Sequence, residues 1–225
     1  MPYPIERKLV IAVSSSALFD LSESDRVFRE FGPKAYKEFQ EKHLDTILGM
    51  GVAFPFIRRF LGINRKFEKE QPVEVVLLSR NSAATGKRVF RSIRHYELDI
   101  SRAAFMEGKS PYGYIPAFNA SLFLSANEED VITAIDYGYP AGTVLPTKVV
   151  DDLTDGELRI AFDFDGVIAD DESETVFRDG ELEAFHQHEV EKSDIPHNPG
   201  PLADLFRKLS FMQKLEDRAA ENDWK

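Results

Sequence analysis

Cysteine is absent from the 225-residue chain. Its absence excludes a disulfide scaffold, a thiolate metal site and a cysteine nucleophile. No uninterrupted apolar run approaches the roughly 18 residues that a membrane-spanning helix needs. Basic residues are outnumbered, at 28 Lys and Arg against 39 Asp and Glu, which gives a formal charge of −11. A chain of this charge is a poor nonspecific binder of nucleic acid or anionic membranes, so we expect neither as a partner.

The first apolar stretch, LVIAV at residues 9–13, follows Arg7 and Lys8 and therefore superficially imitates a signal peptide. It is short, continues into three serines and reaches Asp20 without a convincing cleavage site. We interpret it as a buried strand. Together with the lack of cysteine, this interpretation predicts a cytoplasmic location.

Charge divides the chain into two parts. Residues 1–150 carry a net charge of +2, whereas residues 151–225 carry −13. The change coincides with a polar stretch, residues 147–157, that is typical of a linker or long loop. We therefore predict one domain over residues 1–150, and a linker plus the N-terminal part of a second unit over residues 151–225.

Strand and helix patterns alternate in the first part, which predicts an α/β fold with a doubly wound parallel sheet. The predicted strands are residues 9–13, 73–79, 103–106, 121–126 and 142–146. The predicted helices are residues 23–43, 53–67, 110–115 and 128–138, with another helix beginning after Ser82. Ligands of such folds bind at the C-terminal ends of the strands. In the helix after Ser82, Arg88, Arg91 and Arg94 are spaced by three, which favours a solvated basic face; the alternative is contact with phosphate or with another subunit.

The chain also contains an internal repeat. Residues 9–29 and residues 158–178 align at an offset of 149, with 8 identities in 21 positions. Ordinary composition would give about one or two. The repeat predicts that a second, incomplete copy of the first unit begins near residue 158, with residues 160–162 as its first buried strand.

The strongest chemical signal is IAFDFDGVIADDE at residues 160–172. Asp163 and Asp165 follow the predicted strand, and the alternation of a strand sends residues two apart to one side. Paired carboxylates can bind Mg²⁺ through oxygen, and one can attack phosphorus while the other protonates the leaving group. The alternative is a loop of solvated acids. In the first copy, Ser14 and Ser16 stand at the equivalent positions.

This motif resembles the first motif of the haloacid dehalogenase-like phosphohydrolases. The resemblance implies that Asp163 is the nucleophile, Asp165 the general acid/base, and that both contribute to a Mg²⁺ site. Ser79 and Lys109 resemble the phosphate-binding Ser/Thr and the Lys of the second and third motifs. Their alternatives are a turn or helix-cap serine and an exposed loop lysine. The sheet is then of the haloacid dehalogenase type, and the first copy is degenerate at its first motif.

Longer strings, among them VVLLSRNSAATGKRVFRSIRHYELDISRAAFMEGKSPYGYI and AFDFDGVIADDESE, resemble the type I cytosolic 5′-nucleotidases. This resemblance implies Mg²⁺-dependent hydrolysis of nucleoside 5′-monophosphates through an aspartyl-phosphate, with Ser79, Arg80, Asn81 and Lys109 holding the substrate. Members of that family continue beyond the point where this chain ends. We therefore expect a truncated form with weak or no activity alone, and we expect a homo-oligomer or a separately encoded C-terminal part as its protein partner. The alternative function is a non-catalytic nucleotide-binding or dimerisation module.

Overall fold

The structure is a computed structural model that describes residues 5–147 and 150–221. Its contacts divide the chain into two compact units, Met1–Leu158 and Arg159–Lys225. No helix in these described ranges is long and apolar enough to cross a membrane.

The first unit alternates strands and helices around a five-stranded parallel sheet. The sheet strands are β1 (Leu9–Ser14), β4 (Val73–Ser79), β5 (Arg102–Phe105), β6 (Leu122–Ser125) and β7 (Ala141–Thr143). Their order across the sheet is β5-β4-β1-β6-β7. Two short strands, β2 (Phe19–Asp20) and β3 (Gly49–Met50), form a separate antiparallel pair. The helices are α1 (Ser15–Leu18), α2 (Ser22–Lys42), α3 (Phe54–Lys66), α4 (Ala83–His95) and α5 (Glu128–Asp136).

The core of the first unit lies on the two central strands. Every residue of β1 is buried, and so is β4 except Glu74. Alternate residues of the two strands, Val10, Ala12, Val76 and Leu78, share one apolar cluster with Phe123 of β6. Burial of both faces explains why β1 and β4 are continuous apolar runs, since a parallel sheet covered on both sides offers no solvated face.

The predicted α/β class and parallel sheet are confirmed. Each predicted strand of the first part overlaps an observed one, and the predicted strand at residues 73–79 has the same bounds as β4. Residues 110–115 form only a short 3₁₀ turn, Tyr112–Tyr114, because Pro111 and Pro116 bound it. α2 is interrupted at Gly32, which has a φ of 79° and directly precedes Pro33. Glycine adopts this left-handed conformation without a Cβ penalty, so the chain can bend there.

The prediction that Arg88 belongs to a solvated basic face is wrong. Its side chain is buried, with Nε donating to the carbonyl oxygen of Thr46 and Nη1 donating to Oε1 of Gln40. Its burial also lowers the pKa of Arg88. A guanidinium can be buried when carbonyl and amide oxygens meet its fixed donors. Arg91, one turn later, pairs with Asp45.

The second unit consists of α6 (Glu172–Glu191), α7 (Ala203–Glu221) and a single antiparallel bridge between Ala169 and Pro199. The prediction of a buried strand at residues 160–162 is wrong: this segment is not a strand, and Ile160 is 45% exposed. A parallel strand is stable only with hydrogen-bonded neighbours, and the described residues of this unit provide none. We therefore propose, on the repeat alone, that this unit is an incomplete second copy.

Residues 151–155 of the polar stretch form hydrogen bonds and ion pairs with α3. Arg59 Nη2 lies 2.6 Å from Asp151 Oδ1, and Arg58 Nη2 donates to the carbonyl oxygen of Asp155 at 2.8 Å. The carbonyl oxygens of Asp152 and Leu153 also accept from these guanidinium groups. Two adjacent arginines thus hold a loop with little secondary structure of its own.

Candidate functional site

Three consecutive serines, the last residue of β1 and the next two, lie at the C-terminal end of the sheet, where one of them meets the end of β4. Ser14 Oγ accepts a hydrogen bond from the backbone N–H of Ala17 and lies 3.2 Å from Ser16 Oγ. Between them, Ser15 Oγ lies 2.8 Å from Ser79 Oγ. The pairing of β1 beside β4 produces this contact, because parallel strands end at the same edge of the sheet. Ser14 and Ser16 occupy the positions that Asp163 and Asp165 have in the repeat.

Asn81 connects this serine pair to α2. Its backbone N–H donates to Ser79 Oγ at 3.1 Å, and its Nδ2 donates to Ser15 Oγ at 3.1 Å. Its Oδ1 accepts from the phenol of Tyr36 at 2.9 Å. Burial raises the pKa of Tyr36, so the phenol keeps its hydrogen at neutral pH.

Arg80 is held by a buried carboxylate. Its Nε and Nη2 lie 2.8 Å and 2.7 Å from Asp130 Oδ1, and the hydroxyl of Ser110 donates to the same oxygen at 2.7 Å. The Asp130 side chain is 4% exposed. Arg80 therefore links the loop after β4 to α5, and its charge is already met by a protein anion.

The loop that carries Lys109 packs along the same segment through its backbone. Gly108 N–H donates to the carbonyl oxygen of Arg80, and Glu107 N–H donates to that of Asn81. Both residues have positive φ, 48° for Glu107 and 92° for Gly108, which lets the chain turn tightly there. Lys109 follows this turn and is exposed. The four predicted phosphate-binding residues therefore lie at the end of β4 (Ser79) and on the two hydrogen-bonded loops after β4 and β5 (Arg80, Asn81 and Lys109).

A cleft of about 810 Å³ opens at the C-terminal edge of the sheet, between the ends of β1 and β6. Ser16 and Asn127 line it at the two strand ends, and Asp20 and Asp25 line another part of its wall. Desolvation raises the pKa of Asp25, against the effect of Arg29, and the Asp20 carboxylate adds to the rise. The position of the cleft matches the general rule for open α/β sheets, in which ligands bind where strand order reverses.

Asp163 and Asp165 belong to the second unit, on an exposed turn before the Ala169–Pro199 bridge. Asp163 Oδ1 accepts from the N–H of Phe164, and Gly166 adopts a φ of 69°. The N–H of Ala169 donates back to the carbonyl oxygen of Phe164 at 3.0 Å, which closes the turn. Both carboxylates are therefore accessible for chemistry.

The exposed oxygens of Asp163 and Asp165 suit Mg²⁺, which is bound by one or two carboxylates and keeps several waters. Over residues 5–147 and 150–221, however, no group of three His, Asp or Glu side chains gathers closely enough to hold a metal ion. The residues present thus fit a site with two protein ligands, and do not form a closed metal cage.

Sequence reasoning did not identify three polar residues of this arrangement. Ser15 was overlooked because alignment with Asp163 and Asp165 selects its neighbours, Ser14 and Ser16. Tyr36 and Asp130 lie 45 and 50 positions from their partners, Asn81 and Arg80. Only the Ser15 contact had a usable signal, since a serine directly after a central strand must lie near the end of the adjacent strand.

Comparison with known proteins identifies relatives. The family model described as 5′-nucleotidase matches residues 1–225. Human "Cytosolic 5′-nucleotidase 1B" is 32% identical to the chain over 220 residues, which cover 95% of this chain and 36% of the human protein. The chain therefore spans about a third of the length of that curated relative. No solved structure matches the chain.

Proposed function

The chain belongs to the type I cytosolic 5′-nucleotidase family, and we propose on that basis that it takes part in hydrolysis of nucleoside 5′-monophosphates to nucleoside and phosphate. The observation that carries this proposal is the family match over the whole chain, residues 1–225, which includes both carboxylates of the DFDG motif. The name of the human relative supports a cytoplasmic location.

We propose that Asp163 is the nucleophile. Its carboxylate attacks the phosphorus atom, the P–O5′ bond breaks, and Asp165 donates a proton to the departing nucleoside oxygen. Asp165 then accepts a proton from a water molecule that attacks the aspartyl-phosphate, and the P–O bond to Asp163 breaks to release phosphate. The exposure of both carboxylates on one turn supports these roles.

We propose that Asp163 and Asp165 also hold Mg²⁺, which when bound neutralises charge on the transferring phosphoryl group. Within the first unit, Ser79, Asn81 and Lys109 are proposed to hold a phosphate group through hydrogen bonds and positive charge. The contacts of Arg80 with Asp130 favour a different role for Arg80, which is to fix the loop that carries Asn81 next to Ser79.

A second candidate is a non-catalytic nucleotide-binding or dimerisation module. One observation favours it: the cleft lies in the first unit, whose strand-end positions hold Ser14 and Ser16 in place of carboxylates. In this case, nucleotide would bind to the chain but would not be hydrolysed.

The two functions are separated by measuring phosphate release from AMP, with and without Mg²⁺, on the chain and on Asp163→Asn. Asp194→Asn is a matched control, because it removes the same charge from an exposed position of the same unit. Slow Mg²⁺-dependent release that is lost in Asp163→Asn and kept in Asp194→Asn supports the enzyme. AMP binding without phosphate release supports the module.

A further inference from the structure

The hydroxyl groups of Ser15 and Ser79 form a buried pair at the end of the two central strands. Their oxygens are 2.8 Å apart, and the residues are 4% and 1% exposed. Asn81 donates to both oxygens, from Nδ2 to Ser15 and from the backbone N–H to Ser79. An amide N–H group only donates, so each serine oxygen acts as an acceptor in these bonds.

Counting the hydroxyl hydrogens gives one that is spare. The pair has two such hydrogens, and one of them is used in the bond between the two oxygens. The other has no acceptor among the residues that the structure describes. Because a buried donor without an acceptor is costly, the pair favours an acceptor that comes from outside the protein.

Tyr36 donates to Asn81 in the amide orientation that leaves this hydrogen spare. Its phenol donates to Oδ1 of Asn81, which turns Nδ2 of the same amide toward Ser15. If the amide were reversed, Oδ1 would face Ser15 and accept its hydrogen. Ser79 would then donate to Ser15, and both hydroxyl hydrogens would be consumed inside the protein.

The surroundings indicate an anionic acceptor. The loop that ends at Lys109 is bonded through Gly108 and Glu107 to the backbone of Arg80 and Asn81, so the loop that carries this cationic residue is fixed to the segment after β4. An oxygen of a phosphate group accepts hydrogen bonds and carries negative charge, and hydrogen bonds to charged acceptors are the stronger kind.

We propose that Ser15 and Ser79 act as one donor pair for an oxygen of a phosphate group, and that Asn81 and Tyr36 are positioning residues that keep its hydrogen available. The inference rests on the proposed function, because a phosphate-bearing substrate supplies the acceptor. It adds Ser15 and Tyr36 to the site and gives Asn81, besides its proposed contact with the phosphate, a positioning role that acts through the serines.

The test is titration of the full chain with inorganic phosphate, and separately with AMP, followed by ³¹P NMR and by the thermal midpoint. It uses Asp163→Asn as the background, so that turnover does not enter. Ser15→Ala and Ser79→Ala should each weaken phosphate binding by about three- to tenfold, because the remaining hydroxyl still donates. The double variant should lose binding, since hydroxyls that act as a unit are not additive. AMP should give the same order of variants if its phosphate group occupies the pair.

Tyr36→Phe should weaken phosphate binding by about as much as a single serine variant, although the phenol does not touch the ligand. Ser92→Ala is the control, because it removes a buried hydroxyl of α4 that contacts neither serine, and it should leave phosphate binding unchanged. A Tyr36→Phe protein that binds phosphate like the control would overturn the positioning role.

Three other results would overturn the donor pair: no phosphate binding by the background protein, undiminished binding by the double variant, or complete loss in Ser79→Ala with no effect of Ser15→Ala. AMP hydrolysis that depends on Asp163 is measured separately, on protein with Asp163 present. The proposed function can therefore fail while the pair stands, and the pair can fail while hydrolysis stands.

Discussion

Replacement of Asp130 and Arg80 should reveal an asymmetry that follows from their different burial. The Asp130 side chain is 4% exposed and that of Arg80 is 35% exposed. Asp130 Oδ1 accepts from two nitrogens of Arg80 and from Ser110, at 2.7–2.8 Å. The variants to compare are Asp130→Asn, Arg80→Met and the double variant.

Asp130→Asn keeps the size of the side chain and an acceptor oxygen but removes the charge. It should lower the free energy of unfolding by about 2 kcal/mol, because the charge-assisted hydrogen bonds to Asp130 become weaker neutral ones. The loss stays at this size because water can solvate the partly exposed Arg80 guanidinium. Arg80→Met should cost more, about 3 kcal/mol, because it leaves a buried carboxylate with the Ser110 hydroxyl as its remaining side-chain donor. In the double variant the loss should be smaller than the sum.

Urea unfolding followed by circular dichroism measures all three values, and thermal midpoints should fall by about 2–4 °C for each kcal/mol. Costs below about 0.5 kcal/mol for both single variants, or a larger cost for Asp130→Asn than for Arg80→Met, would refute the structural role of the pair. An Arg80→Met protein of normal stability but weakened AMP binding would instead indicate that Arg80 contacts substrate.

Other predictions concern close packing and the metal. Gly51→Ala should lower the free energy of unfolding by about 1–3 kcal/mol, because the new Cβ would lie 2.4 Å from the carbonyl oxygen of Ala17. Gly62 lies inside α3, where a Cβ meets nothing within 4 Å. In the same urea assay, Gly62→Ala should therefore raise the free energy of unfolding by up to about 1 kcal/mol. Equal effects of the two would contradict the packing argument. Millimolar Mg²⁺ should raise the thermal midpoint of the chain, and Asp163→Asn should abolish the rise, because a ligand of the native state stabilises it by mass action. An unchanged midpoint in wild-type protein would count against the proposed metal site.

The sequence predicted the first unit well because its signals are local. β1 and β4 are continuous apolar runs that predict strands covered on both faces, and the capping residues Ser82 and Asn127 stand where α4 and α5 begin. Contacts between distant residues have no such signal. The burial of Arg88 depends on carbonyl and amide oxygens supplied by Thr46 and Gln40, more than 40 positions away.

The second unit shows the opposite limit, since a strand pattern is not sufficient to make a strand. Residues 158–162 repeat the pattern of β1, but a strand requires neighbours with which to pair. The two units resemble each other in the segment that follows β1 in the first unit and residues 158–162 in the second. Gly51 N–H donates to the carbonyl oxygen of Leu18, and Gly200 N–H donates to that of Ile168. A Cβ at either glycine would lie 2.4 Å from a carbonyl oxygen, so both positions require close backbone approach.

These parallels support the proposal of an incomplete second copy. Gly51 and Gly200 are separated by the repeat offset of 149, and in each unit a long helix precedes the glycine and another follows it. The proposal places the DFDG motif in the second copy and the serines in the degenerate first. It remains to be tested, as does the predicted division of the chain near residue 150.

Phosphate release from AMP tests most directly whether Asp163 is the nucleophile. The chain is incubated with AMP and Mg²⁺, and the measurement is phosphate release, compared between wild type, Asp163→Asn and Asp194→Asn. If Asp163 is the nucleophile, the wild type and Asp194→Asn should release phosphate slowly, and Asp163→Asn should release none. Release by Asp163→Asn within about tenfold of wild type, equivalent to about 1.4 kcal/mol of barrier, would contradict the assignment.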